Sequence, residues 1–270
     1  MKEPLLELYI NKWQLTLDGA SFTSNSSLIQ PCIYNGSKAM LKIPFEEEEL
    51  RASKLMQWWN GNAAARVLKL DLKAILLERI GNERNLSLID LVKQGRDSEA
   101  TRIICQTADK LHRSQAKELP PLVSLVDWFD PLLNNRNFSN EVLKESALVA
   151  SRLLSNQIEL CVLHGDLHHE NILYSDLQGW LAIDPKALYG DRAFDFANIL
   201  CNPNKEVALE DGRLARQLDV ISREANIEFG RMLDWLIAWT GLSSIWLEED
   251  GLDASVPLQL AKIAISLKNK

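Results

Sequence analysis

Leu163-His164-Gly165-Asp166-Leu167-His168-His169-Glu170-Asn171-Ile172, followed by Gly179-Trp180-Leu181-Ala182-Ile183-Asp184-Pro185, is the stretch that decides how this chain folds. Leu160 to Leu163 is apolar and reads as a strand entering a tight polar loop. Ile172 to Tyr174 and Trp180 to Ile183 are apolar segments on either side of the turn Ser175-Asp176-Leu177-Gln178-Gly179. That pattern predicts a β-hairpin ending at Asp184. Such a hairpin is expected to fold Asp184 back beside the loop. A base (Asp166), a neutral amide (Asn171) and a carboxylate (Asp184) would then be gathered together.

These three side chains suit phosphoryl transfer. The reaction needs a carboxylate to orient and deprotonate an acceptor hydroxyl, and oxygen ligands to hold Mg²⁺ on nucleotide phosphates. Asn171 offers a neutral carbonyl oxygen and Asp184 an anionic one. Asp166 and Asn171 are five positions apart, the spacing of a kinase catalytic loop. Gly165 stands where protein kinases carry Arg, and Pro185 follows the metal-type Asp184, so there is no Asp-Phe-Gly triplet. Both departures point to small-molecule kinases.

The run His164 to Asn171, together with Trp180 to Pro185, resembles the aminoglycoside phosphotransferase family, most closely its streptomycin 6-kinase and hydroxyurea phosphotransferase branch. Weaker similarity extends from about Phe22 to the C-terminus. The resemblance implies an α+β, two-lobed protein-kinase-like fold, with a β-rich N-terminal lobe and a mainly helical C-terminal lobe. It implies transfer of the γ-phosphoryl group of ATP to a hydroxyl of an aminoglycoside-like, streptomycin-like acceptor, a chemistry associated with antibiotic resistance; the sequence does not say whether resistance is the physiological role. In the family, Lys42 in Ala39-Met40-Leu41-Lys42-Ile43 is the strand lysine on the nucleotide phosphates. Its expected partner is a helix carboxylate. Among Glu46, Glu47, Glu48 and Glu49 the family pattern favours Glu49, with Glu48 second. An acidic first helical turn is also what the helix dipole prefers.

Composition is that of an ordinary globular protein: 270 residues, 46% hydrophobic and 25% charged. The net charge is −7 and no long Lys/Arg run occurs, so nucleic acid is not an expected partner and a cationic acceptor is permitted. The four cysteines (Cys32, Cys105, Cys161, Cys201) are scattered and read as free thiols, not as a disulfide framework. Charges at Lys2, Glu3 and Glu7 leave no signal-peptide core, and no apolar window is long enough for a membrane span. A reducing cytoplasm is the expected location. Nothing in the sequence speaks to oligomeric state.

Residues 1–80 read as the N-terminal, nucleotide-binding lobe. Strands are expected at Trp13 to Leu17, Ser27 to Tyr34 and Ala39 to Ile43, turned by Asp18-Gly19 and Asn35-Gly36. A helix follows at Phe45 to Asn60, then strands at Arg66 to Leu70 and Lys73 to Leu77. Residues 81–270 form the catalytic and acceptor-binding lobe. Its expected helices are Ser87 to Gln94, Ala100 to Arg113, Leu122 to Leu133, Ser139 to Gln157, Arg192 to Leu200, Asp211 to Ala225, Ile227 to Trp246 and Val256 to Leu267. A nucleotide is expected in the cleft between two such lobes.

The Ser-rich tip Ser21 to Ser27 replaces the Gly-rich loop of protein kinases. Ser24 and Ser26 are candidate phosphate contacts, against the plainer reading of a solvated turn. Glu78 to Ile80 is the connector that would present backbone groups to adenine, which leaves ATP or GTP open. Asp195 is expected to anchor the catalytic-loop backbone, with substrate binding as the alternative. His164 is expected to orient that backbone, and His168 or His169 to touch phosphate or to pack. Asp191 and Arg192 are open between structure and acceptor. Trp235, Trp239 and Trp246 recur at helical intervals and read as core. Glu248-Glu249-Asp250 is either a solvated loop or an acidic lining for a cationic acceptor. Three rival functions remain: a housekeeping kinase of an amino sugar or amino alcohol, a nucleotide-binding pseudokinase module, and a zinc hydrolase. The last is disfavoured because a single loop supplies three of the four histidines.

Overall fold

Asn35-Gly36 turns the chain between two eight-residue strands with both residues at positive φ (48° and 78°), the backbone a two-residue hairpin demands. From this hairpin the first sheet is built. The computed structural model describes residues 2–24, 26–113, 117–135, 138 and 140–269. In chain order the elements begin with α1 (Lys2–Lys12), β1 (Thr16–Leu17), β2 (Phe22–Thr23), β3 (Ser27–Tyr34), β4 (Ser37–Pro44), α2 (Glu47–Trp59), β5 (Val67–Asp71) and β6 (Ala74–Glu78). There follow α3 (Leu88–Lys93), α4 (Asp97–His112), β7 (Val123–Ser124), α5 (Leu125–Trp128), α6 (Asp130–Leu133), α7 (Glu141–Ser155) and β8 (Leu160–Leu163). The predicted hairpin is β9 (Ile172–Ser175) with β10 (Gly179–Ala182). After β11 (Leu188–Asp191) come two 3₁₀ segments, Arg192–Phe196 and Asn198–Cys201, then α8 (Lys205–Ala208), α9 (Arg213–Ala225), α10 (Phe229–Glu249) and α11 (Ser255–Lys268).

These elements form two compact units. One comprises Met1–Leu86, Gln115–Leu122 and Leu173–Ala187. The other comprises Ser87–Ser114, Val123–Ile172 and Leu188–Lys270. In the first unit, the antiparallel sheet runs β1-β3-β4-β6-β5, with β2 also on β3. Side chains alternate across it. Cys32, Ala39, Leu41 and Ile43 pack with Tyr9 and Leu15 in one core cluster, partly walled by Leu5, Leu6 and Ile10 of α1. Met40 and Lys42 alternate to the other face. Helix α2 buries Ala52, Leu55, Met56 and Trp59, the stripe expected of an amphipathic helix.

The second unit is organised around α10, which packs against α7 and α11. Trp235 is fully buried, and rings of Phe129, Phe194, Trp235 and Trp239 meet at centroid distances of 5.5–6.0 Å. Trp235 and Trp239 are therefore core, and Trp246 is half-buried against Trp128 and Trp239. Glu248, Glu249 and Asp250 are exposed at the C-terminal end of α10. A small sheet, β7-β11-β8, pairs β11 antiparallel with β8 and parallel with β7. All four cysteines are free thiols. Among the described residues no helix is long and apolar enough to cross a membrane.

Several expectations are corrected. The N-terminus is helical (α1), with Pro4 tolerated in its first turn and Leu5, Leu6, Tyr9 and Ile10 spaced to cover the sheet. Asp18-Gly19 does not close a hairpin, because β1 and β2 both pair with β3, at Cys32–Ile33 and Leu28–Ile29. The segment Leu122 to Leu133 is not one helix. Ser124 caps α5 through the Asp127 N–H, and Pro131, which has no N–H, opens a separate short α6. Arg192 to Leu200 is 3₁₀ helix in two pieces, and β11 was not anticipated.

Helix α10 approaches α7 closely only because residue 241 has no side chain. A Cβ there would sit 2.3 Å from the Ser146 Cβ and 2.8 Å from its Oγ. Gly241→Ala is expected to destabilise by about 2 kcal/mol or more, as overpacked cores do. Adding Ser146→Gly should return part of that loss. Urea midpoints of the parent, both single variants and the pair test this. Additive losses would mean the contact is not the cause.

Candidate active site

Strand β8 ends at Leu163, and the chain then turns sharply through Gly165, whose φ of 83° favours glycine. The turn is held by Asp195, whose side chain is fully buried. Its Oδ2 accepts the His164 N–H at 2.9 Å and its Oδ1 the Gly165 N–H at 2.6 Å. His112 of α4 lies 2.7 Å from Oδ2 through Nε2, which must be the donor because a carboxylate only accepts. Asp195 thus anchors the loop backbone, as its place in the sequence suggested. His164 is buried, and its Nδ1 accepts the Asp166 N–H at 3.2 Å.

Asp166 is itself tightly held. Asn171 Nδ2 donates to the Asp166 carbonyl at 3.0 Å and to Oδ2 at 3.3 Å, closing the five-residue loop. Asn198 Nδ2 donates to Oδ1 at 2.8 Å. His168 Nε2 lies 3.8 Å from Oδ2, and its Nδ1 accepts the Glu170 N–H. His169 is 2% exposed, and burial, aided by the Arg213 charge, pushes its imidazole down to about 4. It packs as a neutral ring.

In the other unit, Lys42, Glu49 and Asp184 converge. Lys42 Nζ sits 2.6 Å from Glu49 Oε2 and 2.8 Å from Asp184 Oδ1. Lys42 and Glu49 side chains are each 8% exposed, whereas Asp184 is 42% exposed. Burial opposes the Lys42 charge, but the two carboxylates outweigh it and hold the ammonium above its ordinary value. Glu48, the second choice from the sequence, pairs instead with Lys186 at 2.9 Å. Asp184 has φ 54°, in the left-handed region that Asp tolerates better than most residues, a conformation that clusters at functional sites. The preceding strand is pinned where the Ala65 N–H meets the Ala182 carbonyl and the Ala182 N–H the Ala63 carbonyl.

Lys42 and Asp184 stand at the wall of a cavity of about 330 Å³. Its apolar lining includes Phe22, Ile29, Met40, Leu77, Leu173 and Ile183, with Glu78 and Ile80 at the connector. An apolar slot beside a cation matches a base joined to phosphates. The Glu78 carboxylate is occupied elsewhere, accepting the Arg66 N–H at 2.8 Å and the Gln178 amide at 3.2 Å. Ser24 Oγ accepts the Ser27 N–H at 3.1 Å, and the Ser26 carbonyl accepts the Phe45 N–H at 2.9 Å. Ser24 is thus tied to Ser27 and Ser26 to the residue after β4, and Asn25 between them lies outside the described residues.

Asp191 and Arg192 have structural partners. Asp191 is buried, accepts the N–H groups of Ile158 and Ala193, and pairs with Arg231. Arg192 pairs with Glu159 at 2.8 Å and donates to the Ala225 carbonyl. Residues missed in the sequence are Asn198, His112 and the apolar cavity lining. Alternation along β3 and β4 carried a signal for Ile29 and Met40. The pairings of Asn198 and His112 join residues 32 and 83 positions apart, which no local pattern reveals.

Two stability tests follow. Asp195→Ala would leave three buried donors unpaired, at roughly 1–3 kcal/mol each, so the variant should lose at least about 3 kcal/mol. His112→Phe, which keeps both backbone bonds, should lose clearly less. Equal urea midpoints for the two would contradict the anchoring role. Lys42→Met leaves Glu49 buried beside no cation and should lose about 3 kcal/mol. Lys42→Met combined with Glu49→Leu should recover more than half of it, and a further drop in midpoint would refute the pairing energetics.

The geometry can now be set beside known proteins. Residues 12–251 match the family described as aminoglycoside/hydroxyurea antibiotic resistance kinase. The chain is 40% identical over 247 residues to a streptomycin 3''-kinase of Klebsiella pneumoniae, covering 90% of this chain and 92% of that one. It is 29% identical over 274 residues to a streptomycin 6-kinase of Streptomyces griseus, covering 93% and 85%. Among solved structures, a thermostable variant of aminoglycoside phosphotransferase APH(4)-Ia, in ternary complex with ADP and hygromycin B, superposes with a TM-score of 0.70. The identity there is 12% over 96% of this chain and 97% of that one, so this likeness speaks for the α+β, protein-kinase-like fold alone. With the match to residues 12–251 and the identity to the Klebsiella kinase together, the chain belongs to the aminoglycoside/hydroxyurea antibiotic resistance kinase family.

Proposed function

We propose that this enzyme transfers the γ-phosphoryl group of ATP to a hydroxyl of streptomycin or a closely related cationic aminoglycoside, with Asp166 as the base. The observation that carries this reading is the Asp166 carboxylate, held by two amides in a loop whose backbone is pinned by buried Asp195. The streptomycin kinases among the relatives support the acceptor class. The net charge of −7 suits a cationic acceptor.

Lys42, kept charged by Glu49 and Asp184, would bind nucleotide phosphates. The apolar cavity beside it would take the base, with the backbone of Glu78 to Ile80 at its connector, and Ser24 and Ser26 would be phosphate contacts. Asn171 and Asp184 fit Mg²⁺. Asn171 spends its Nδ2 on the loop and so keeps Oδ1 for a cation, while Asp184 offers a part-exposed carboxylate. Oxygen donors suit a hard ion, and among the described residues no three acidic, His or Cys groups form a metal cage. Mg²⁺ would therefore share its remaining ligands with phosphate and water. When bound, it neutralises phosphate charge. The protein's share of catalysis is to hold the reacting groups in line, because the transition state of phosphoryl transfer is loose. Cytoplasmic location belongs to the same proposal, since the nucleotide is cytoplasmic.

ADP release measured with Mg-ATP over streptomycin, other aminoglycosides, amino alcohols and neutral sugars tests the reading. Streptomycin should give the highest kcat/KM, and Asp166→Asn should reduce kcat by about 10² or more while sparing ATP binding. Preference for an amino alcohol or a neutral sugar would overturn the acceptor class. Turnover of Asp166→Asn within about threefold of the parent would remove Asp166 from the chemistry.

A further inference from the structure

The 3₁₀ segments that follow β11 touch the catalytic loop twice, three residues apart. Asp195 accepts from the loop backbone, while Asn198 reaches the side chain of Asp166. The second contact is oriented. Asn202 Nδ2 donates to Asn198 Oδ1 at 3.1 Å and to the Asn198 carbonyl at 2.9 Å. With its oxygen end taken by a donor, the Asn198 amide can only present Nδ2 to Asp166. The segment itself is clamped by Arg213, which is 1% exposed and donates to the carbonyls of Leu200 at 3.1 Å and Asn202 at 2.8 Å. Arg213 is held in turn by Asp97 at 2.8 Å.

The two oxygens of Asp166 are therefore inequivalent. Oδ1 receives a short bond from Asn198 (2.8 Å), whereas Oδ2 receives a long one from Asn171 (3.3 Å) and has His168 Nε2 at 3.8 Å. An ionised carboxylate has about four acceptor sites, so both oxygens keep capacity, but the short bond fixes the plane of the group. A neutral amide does this without supplying a cation that would compete for the base. We propose that Asn198 is a positioning residue for the proposed phosphoryl transfer: it locks the Asp166 carboxylate through Oδ1, so that Oδ2 accepts the acceptor hydroxyl proton. This rests on Asp166 being the base.

The test uses the whole chain with Mg-ATP and streptomycin. Asn198→Leu removes the donor at nearly constant volume. Asn198→Asp keeps the shape and can still accept from Asn202, but turns a carboxylate toward Asp166. A merely structural role makes Asn198→Asp the gentler change. Positioning of the base makes it the harsher one. We expect kcat to fall about tenfold or more in Asn198→Leu and further in Asn198→Asp, with KM for ATP and acceptor within about twofold, since a hydrogen bond to a charged group is worth about a tenfold to hundredfold factor. In the Asp166→Asn background, Asn198→Leu should lower the residual rate by less than about twofold, because its effect runs through that carboxylate. Asn198→Asp more active than Asn198→Leu, or an equal loss in the Asp166→Asn background, would overturn the proposal. If Asp166→Asn itself stays active, the base assignment falls first. If Asp166→Asn is inactive while both Asn198 variants match the parent, only the role of Asn198 falls.

Discussion

A carboxylate buried to zero exposure sets the geometry of the catalytic loop. An ionised group in such surroundings is tolerated only when it is fully hydrogen-bonded. Asp195 meets that condition with three donors: two backbone N–H groups of the loop and the ring of His112. Because the cost of leaving the charge unpaired is high, the bonds are obligatory, and the loop backbone has one position available. Gly165 supplies the positive φ that this position requires. The rest of the loop is built on that anchor: His164 accepts from Asp166, Asn171 closes back on Asp166, and Asn198 on the adjoining 3₁₀ segment meets the same carboxylate.

The other unit solves a related problem with an ammonium. Strand alternation turns Lys42 to the face away from the core cluster of Leu41 and Ile43. Its charge survives burial because Glu49 and Asp184 flank it. The two partners differ in surroundings. Glu49 is enclosed on α2, whereas Asp184 is part-exposed and sits in a left-handed backbone conformation. The buried partner fixes the lysine, and the part-exposed one is the carboxylate proposed above for the cation. The same side of the sheet offers the apolar slot, so one strand pair supplies both hydrophobic contact and charge.

Much of the molecule was legible in the sequence because the decisive signals are local. The Asp166–Asn171 spacing, the hairpin ending at Asp184, the Asn35-Gly36 turn and the helical tryptophans each occupy a short window. Helix α1 was missed because its apolar residues sit beside Pro4 and a charged N-terminus, although their spacing was helical. The segment from Leu122 to Leu133 was misread because apolar content conceals the cap at Ser124 and the break at Pro131. Asp191 and Arg192 stand a few residues before Asp195 in sequence, yet their partners Arg231, Glu159 and Ala225 make them structural.

The sequence by itself determined the family, the strand-loop-hairpin carrying Asp166, Asn171 and Asp184, and the strand bearing Lys42. It did so because spacing along a backbone of known geometry constrains which side chains share a turn or a face. Only the tertiary structure decided that Glu49, not Glu48, meets Lys42, that His112 completes the shell of Asp195, and that Asn198 faces Asp166. Adjacent glutamates on one helical turn carry equivalent local signals, so the choice falls to how α2 packs on β4 and β5. His112 and Asn198 act across 83 and 32 residues of chain. Contacts at that separation exist only after the intervening core has closed, because it is packing that brings them within 3 Å.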